Sequence, residues 1–137
     1  MKFILPVDYL SPSSIGMYLK CPAQYEFRYI EKMKSPPGVA MQEGSNYHST
    51  LEMNNIHKIV QHEDLGKKKL LRKFACEFDD RRKDIEDWEG QTVDKVIKRS
   101  KILVPMYLKR FAPFYQPNIA ERRLKIHLGQ VQILCIL

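Results

Sequence analysis

The chain has 137 residues, 44% of them hydrophobic and 28% charged, which fits one soluble globular domain over residues 1–137 and excludes a disordered tail. No apolar run approaches the roughly 18 residues of a membrane helix, and the opening MKFILPVDYL, broken by Pro6 and Asp8, makes a poor signal peptide. Three scattered cysteines without a CxxC exclude a disulfide framework, so a reducing, cytoplasmic setting without membrane contact is expected.

Ser11, Pro12, Ser13 and Ser14 predict a helix start, with a serine cap and proline in the first turn. Cys21 and Pro22 break that helix, and Pro22 opens a second through Tyr25, Phe27 and Tyr29. Pro36, Pro37 and Gly38 make a loop. A helix over residues 39–60 follows, with Tyr47, Leu51, Ile56 and Ile59 as its apolar residues. Another is expected over residues 65–88, carrying Leu70, Leu71, Phe74, Phe78, Ile85 and Trp88 and ending at Gly90. Thr92 caps the next helix, which Pro105 should kink or divide. After Asn118 the pattern becomes alternation: Ile119, Leu124, Ile126 and Leu128, a turn near Gly129, then Val131, Ile133 and Cys135. That is a β-hairpin whose second strand, VQILCIL, is apolar enough to be buried on both faces.

The charge is uneven. Residues 1–64 carry a net −1, and residues 65–137 a net +8. The basic residues come in bursts: Lys67, Lys68, Lys69, Arg72 and Lys73; Arg81 and Arg82; Lys98, Arg99 and Lys101. Such a surface favours a polyanion through counterion release, and these ten residues are the candidate nucleic-acid contacts. The competing reading is a solvated helix face, since acidic residues are interleaved. His57 and His62 lie five apart and do not share a helix face, which argues against a metal pair. Cys76 and Cys135 read as packing residues. No GxSxG, P-loop, HExxH or GxGxxG occurs.

Two segments, LSPSSIGMYLKCPAQYEFRYI (residues 10–30) and EGSNYHSTLE (residues 43–52), say more together. A capped helix, Tyr-Leu-x-Cys-Pro, an aromatic helix, a Pro-rich loop and then Gly44-x-x-x-His48 resemble the amino-terminal part of the RecB-like branch of the PD-(D/E)XK nuclease superfamily. That branch includes recombination exonucleases, phage exonucleases and CRISPR-associated iron–sulfur exonucleases. The resemblance implies a metal role for His48, close helix approach at Gly44, and an acidic metal position at Glu121. Cys21 falls where iron–sulfur members carry the first of four cluster cysteines; one thiolate cannot hold a cluster, and Cys21 reads instead as a buried residue at the helix break.

The resemblance also implies a catalytic Asp at the end of the second core strand and a Glu-x-Lys on the third, with Mg²⁺ or Mn²⁺ as cofactor. This sequence ends where that Asp is expected, so no cofactor is assigned to the chain itself. The expected fold class is α+β, mainly helical with a carboxy-terminal β-hairpin, like the first half of a PD-(D/E)XK domain. The favoured function is weak nucleic-acid binding, DNA rather than RNA, without catalysis. The alternative is an interaction protein that binds or inhibits a protein partner. The uncharged strand over residues 131–137 also suggests a homodimer joined at an otherwise bare edge.

Overall fold

The computed structural model describes residues 7–33, 35–120, 122–129 and 131–136. The chain is mainly helical with a carboxy-terminal two-stranded antiparallel hairpin, and it forms two compact units: Met1–Ser35 with Glu121–Leu137, and Pro36–Ala120.

The first unit begins at a reciprocal cap. The Ser11 hydroxyl accepts from the Ser14 N–H at 3.1 Å, and the Ser14 hydroxyl accepts from the Ser11 N–H at 2.8 Å. This reciprocal pair caps the start of α1 (Pro12–Lys20), where Pro12 itself has no N–H to satisfy, and fixes where the helix begins. Cys21 is extended, with φ −157° and ψ 102°, and joins α1 to α2 (Pro22–Tyr25), which runs on as a π-helical turn over Glu26–Ile30. Tyr25 packs its ring against Tyr18 edge-on at 5.5 Å and against Tyr29 at 5.0 Å.

Strand β1 (Arg123–Leu128) pairs with β2 (Val131–Ile136), with Leu128 opposite Val131. Gly129 stands at φ +61°, a conformation that costs a side-chain-bearing residue about 1 kcal/mol and glycine nothing, so the turn falls there. In the alternation beginning at Ile119, Ile119, Ala120 and Arg122 are not strand. Nor are Val131, Gln132, Ile133, Leu134 and Cys135 fully buried; all five are half-buried. The edge of β2 away from β1 is bridged by Leu10, whose N–H donates to the Gln132 carbonyl at 2.9 Å and whose carbonyl accepts from the Leu134 N–H at 2.8 Å.

The second unit is built from α3 (Val39–Gln61), α4 (Lys67–Arg81) and α5 (Val93–Arg110). Helix α4 buries Leu70, Phe74 and Phe78, one residue per turn, and α5 answers with Val96, Ser100 and Val104. Phe74 stacks at 6.1 Å on Phe78, and Trp88 meets Phe78 edge-on. Each such apolar side chain contributes about 1.5–3 kcal/mol by leaving water.

Three expectations change here. Helix α4 ends at Arg81 and gives way to a 3₁₀ turn over Arg82–Asp84, short of the expected end at residue 88. Ile85 and Trp88 still reach the core, from non-helical backbone. Cys76 is exposed rather than buried, being two residues from Phe74 and Phe78 and so on the far side of the helix. Of the kink or division expected at Pro105, the division does not occur: helix α5 runs on through it.

Helix α3 is the largest departure. Its buried face is Val39, Gln42, Glu43, Asn46, Thr50, Asn54 and Lys58, a polar stripe at helical spacing, while Ile56 is 50% exposed. Polar groups are tolerated inside when they are bonded. Asn46 Nδ2 donates to the Phe74 carbonyl at 2.7 Å, and the Thr50 hydroxyl donates to the Asn46 carbonyl at 2.8 Å. Asn54 accepts from the Leu65 N–H at 2.8 Å and donates to Asp64 at 2.7 Å. Lys58 pairs with Asp64 at 3.1 Å and donates to the Ala112 carbonyl.

Candidate functional site

Gly44 and His48 lie one turn apart on α3, both exposed, away from its buried stripe. A side chain at Gly44 would meet nothing within 4 Å among the described residues, so the 36–120 unit by itself shows no close helix approach there. Glu121 lies outside the described residues. Among the described residues no three His, Cys, Asp or Glu side chains come together as a metal-ligand group. Hard divalent cations take about six oxygen donors, and one surface imidazole does not supply them. His57 binds the Glu63 carbonyl through Nδ1 at 3.0 Å, and His62 is exposed as the left-handed cap of α3. Cys21 is half-buried rather than buried, and caps both the end of α1 and the start of α2.

The ten candidate basic contacts divide into two groups. Four are tied down by neighbours. Lys73 at 2.7 Å and Arg81 both reach Glu77, and Arg82 reaches Asp79 at 2.6 Å. Arg99 spans from α5 to Glu43 on α3, with its Nε 2.9 Å from Oε1, and a further bond at 2.9 Å to Gln91. That pair raises the Arg99 pKa, and it explains why Glu43 is tolerated on a buried helix face. Arg99 therefore braces α5 against α3.

The other six, Lys67, Lys68, Lys69, Arg72, Lys98 and Lys101, are exposed and have no ion pair to a described residue. Lys67, Lys68 and Lys69 form the first turn of α4, which holds no acidic residue and no side-chain cap. Three ammonium groups stand at the positive end of a helix dipole, where each is disfavoured by about 0.3–1 kcal/mol. An anion placed across them would offset that repulsion.

A second feature was not apparent from the sequence. Lys58, His62, Glu63 and Asp64 line an open cavity of about 480 Å³ with Pro113, Phe114, Tyr115 and Gln116. Tyr115 is fixed there: its hydroxyl donates to Asn55 Oδ1 at 2.9 Å and bonds the Tyr107 hydroxyl, and Lys58 Nζ lies 5.5 Å from its ring centre. The available signal was a run of aromatics, Phe111, Phe114 and Tyr115, directly after Lys109 and Arg110.

The family model of the PD-(D/E)XK nuclease superfamily matches residues 9–128, the whole helical region and the first hairpin strand. The chain belongs to that superfamily. No curated protein and no solved structure matches it.

Proposed function

We propose that the 137-residue polypeptide is a RecB-like member of the superfamily that binds nucleic acid, DNA in preference to RNA, and does not cleave it by itself. The observation that carries this is the set of six exposed basic side chains on α4 and α5 without an ion pair to a described residue. Phosphate contacts of this type give sequence-independent binding that falls as salt rises. The RecB-like assignment is supported by Gly44 and His48 sharing one helix and by the helix junction at Cys21 and Pro22. The reading without cleavage is supported by the donors that the resemblance assigns to metal within residues 1–137: His48 and Glu121 alone do not fit the two-carboxylate Mg²⁺ or Mn²⁺ site of the family.

The test is anisotropy of a labelled duplex across a salt series, beside a cleavage assay with Mg²⁺ or Mn²⁺. Replacing Lys67, Lys68, Lys69 and Arg72 with Ser should flatten the slope of log affinity against log salt by about 0.9 for each lost phosphate contact. Salt-independent binding, or cleavage abolished by His48→Ala, would overturn the proposal.

A further inference from the structure

We infer that the aromatic end of the 36–120 unit is a stacking site for an unpaired base, so that the polypeptide takes single-stranded in preference to duplex nucleic acid. This rests on the nucleic-acid reading above and names its substrate class. Phe114 is 82% exposed and touches no other aromatic ring among the described residues. It is nevertheless held in place. Its N–H donates to the Phe111 carbonyl at 3.0 Å within the 3₁₀ turn Ala112–Phe114, and the turn is anchored by Lys58 at the Ala112 carbonyl. Tyr115 beside it is fixed through its hydroxyl, and Gln116 donates to the Lys58 carbonyl at 2.8 Å. A phenyl ring this exposed on backbone this well tethered presents a flat apolar face at no further backbone ordering cost.

The surroundings favour a polynucleotide. Lys109 and Arg110 end α5 just before the turn, and both are exposed. Phe114 and Tyr115 line one cavity with His62, Glu63 and Asp64, and Lys67 follows within one turn of chain. The Leu65, Leu70 and Val104 cluster, with Leu108 against it, holds the start of α4 beside the last turns of α5. The positive first turn of α4 and the aromatic turn therefore belong to the same end of the unit. Glu63 and Asp64 are the acidic groups there; Asp64 is taken up by Lys58 and Asn54. Bases inside a duplex hide their faces, whereas a single strand offers them for stacking on aromatic rings.

The experiment measures anisotropy of three labelled probes of roughly 16 nucleotides: an oligothymidylate, an abasic strand of the same length and a duplex. Wild type and the Phe114→Ala and Phe114→Trp variants are compared, with melting curves checking that each folds. Phe114→Ala should weaken the oligothymidylate about 10-fold, the weight of one stacked base, and leave abasic and duplex binding within about two-fold. Phe114→Trp should retain the tighter binding. Equal weakening of the oligothymidylate and abasic strands overturns the inference, as does no change on the oligothymidylate. Loss of self-association in Phe114→Ala without loss of oligothymidylate affinity also overturns it, marking a protein interface. If wild type binds no probe, the broader nucleic-acid reading fails as well; salt-dependent binding indifferent to Phe114 removes only this inference.

Discussion

Asn54→Ala should be among the most damaging substitutions in the 36–120 unit, although asparagine in a helix looks like a surface residue. The carboxamide is fully buried and makes two bonds to the α3–α4 connection: Oδ1 accepts from the Leu65 N–H, and Nδ2 donates to Asp64. Alanine removes both. The Leu65 N–H is left buried without that partner, a loss of about 1–3 kcal/mol, and the bond to the charged carboxylate is worth about 1.5–3 kcal/mol. Asp64 keeps Lys58 at 3.1 Å, which offsets part of the second term. A destabilisation of about 3–4 kcal/mol results. Ile56→Ala on the same helix is the control; its side chain is half exposed, and about 1 kcal/mol or less is expected. Urea unfolding followed by the single tryptophan, Trp88, which packs on Phe78, reads both variants. Asn54→Ala costing less than about 1 kcal/mol, or less than Ile56→Ala, would refute the view that polar bonds seat α3.

Two pH effects follow from the same packing. Burial alone would raise the Glu77 pKa, but hydrogen bonds from Lys73 and Ser49 and the Arg81 charge outweigh it and hold the carboxyl below its ordinary 4.5. The associated stability is present above pH 4.5 and is lost as pH falls through the folded value, so Glu77→Gln should flatten the acid limb of a stability profile and lower stability at neutral pH by about 1 kcal/mol. Burial, reinforced by Glu43 and opposed by Arg99, pushes Tyr47 up to about 12. Its contribution is intact below pH 10 and is lost as pH rises from 10 towards 12; Tyr47→Phe should remove that alkaline loss in thermal melts. Because the buried Tyr47 hydroxyl has no hydrogen-bond partner among the described residues, the same change should leave neutral-pH stability equal or higher by about 1 kcal/mol.

Legibility in the sequence followed the range of the interaction. Ser11, Cys21, Pro22, Thr92 and Gly129 act on their immediate neighbours, and the boundaries they mark are the observed ones. The stripe Leu70, Phe74 and Phe78 was visible because apolar residues at helical spacing have one use. Asn46, Thr50, Asn54 and Lys58 have the same spacing, but their burial depends on partners up to 54 positions away, such as the Ala112 carbonyl, which periodicity does not show. The basic bursts were evident as composition. Their division into braces, such as Arg99, and exposed contacts, such as Lys67, depended on which acids came within reach. Phe114 was hidden for a related reason: an aromatic between two prolines reads as a loop end until its exposure is seen.

The bridge at Leu10 bears on the order in which the molecule assembles. Its partner, Ile133, is synthesised after every described helix, so the unit that contains both must wait until those helices have been made. The 36–120 unit is continuous in sequence, and its helix pairings join neighbours in the chain, where the entropic barrier is small. On a ribosome it is free to fold before β2 emerges. The amino-terminal helices must meanwhile persist without their strand, with Tyr18, Leu19 and Phe27 exposed even in the finished fold. That interval is when association with another chain competes most directly with the native hairpin.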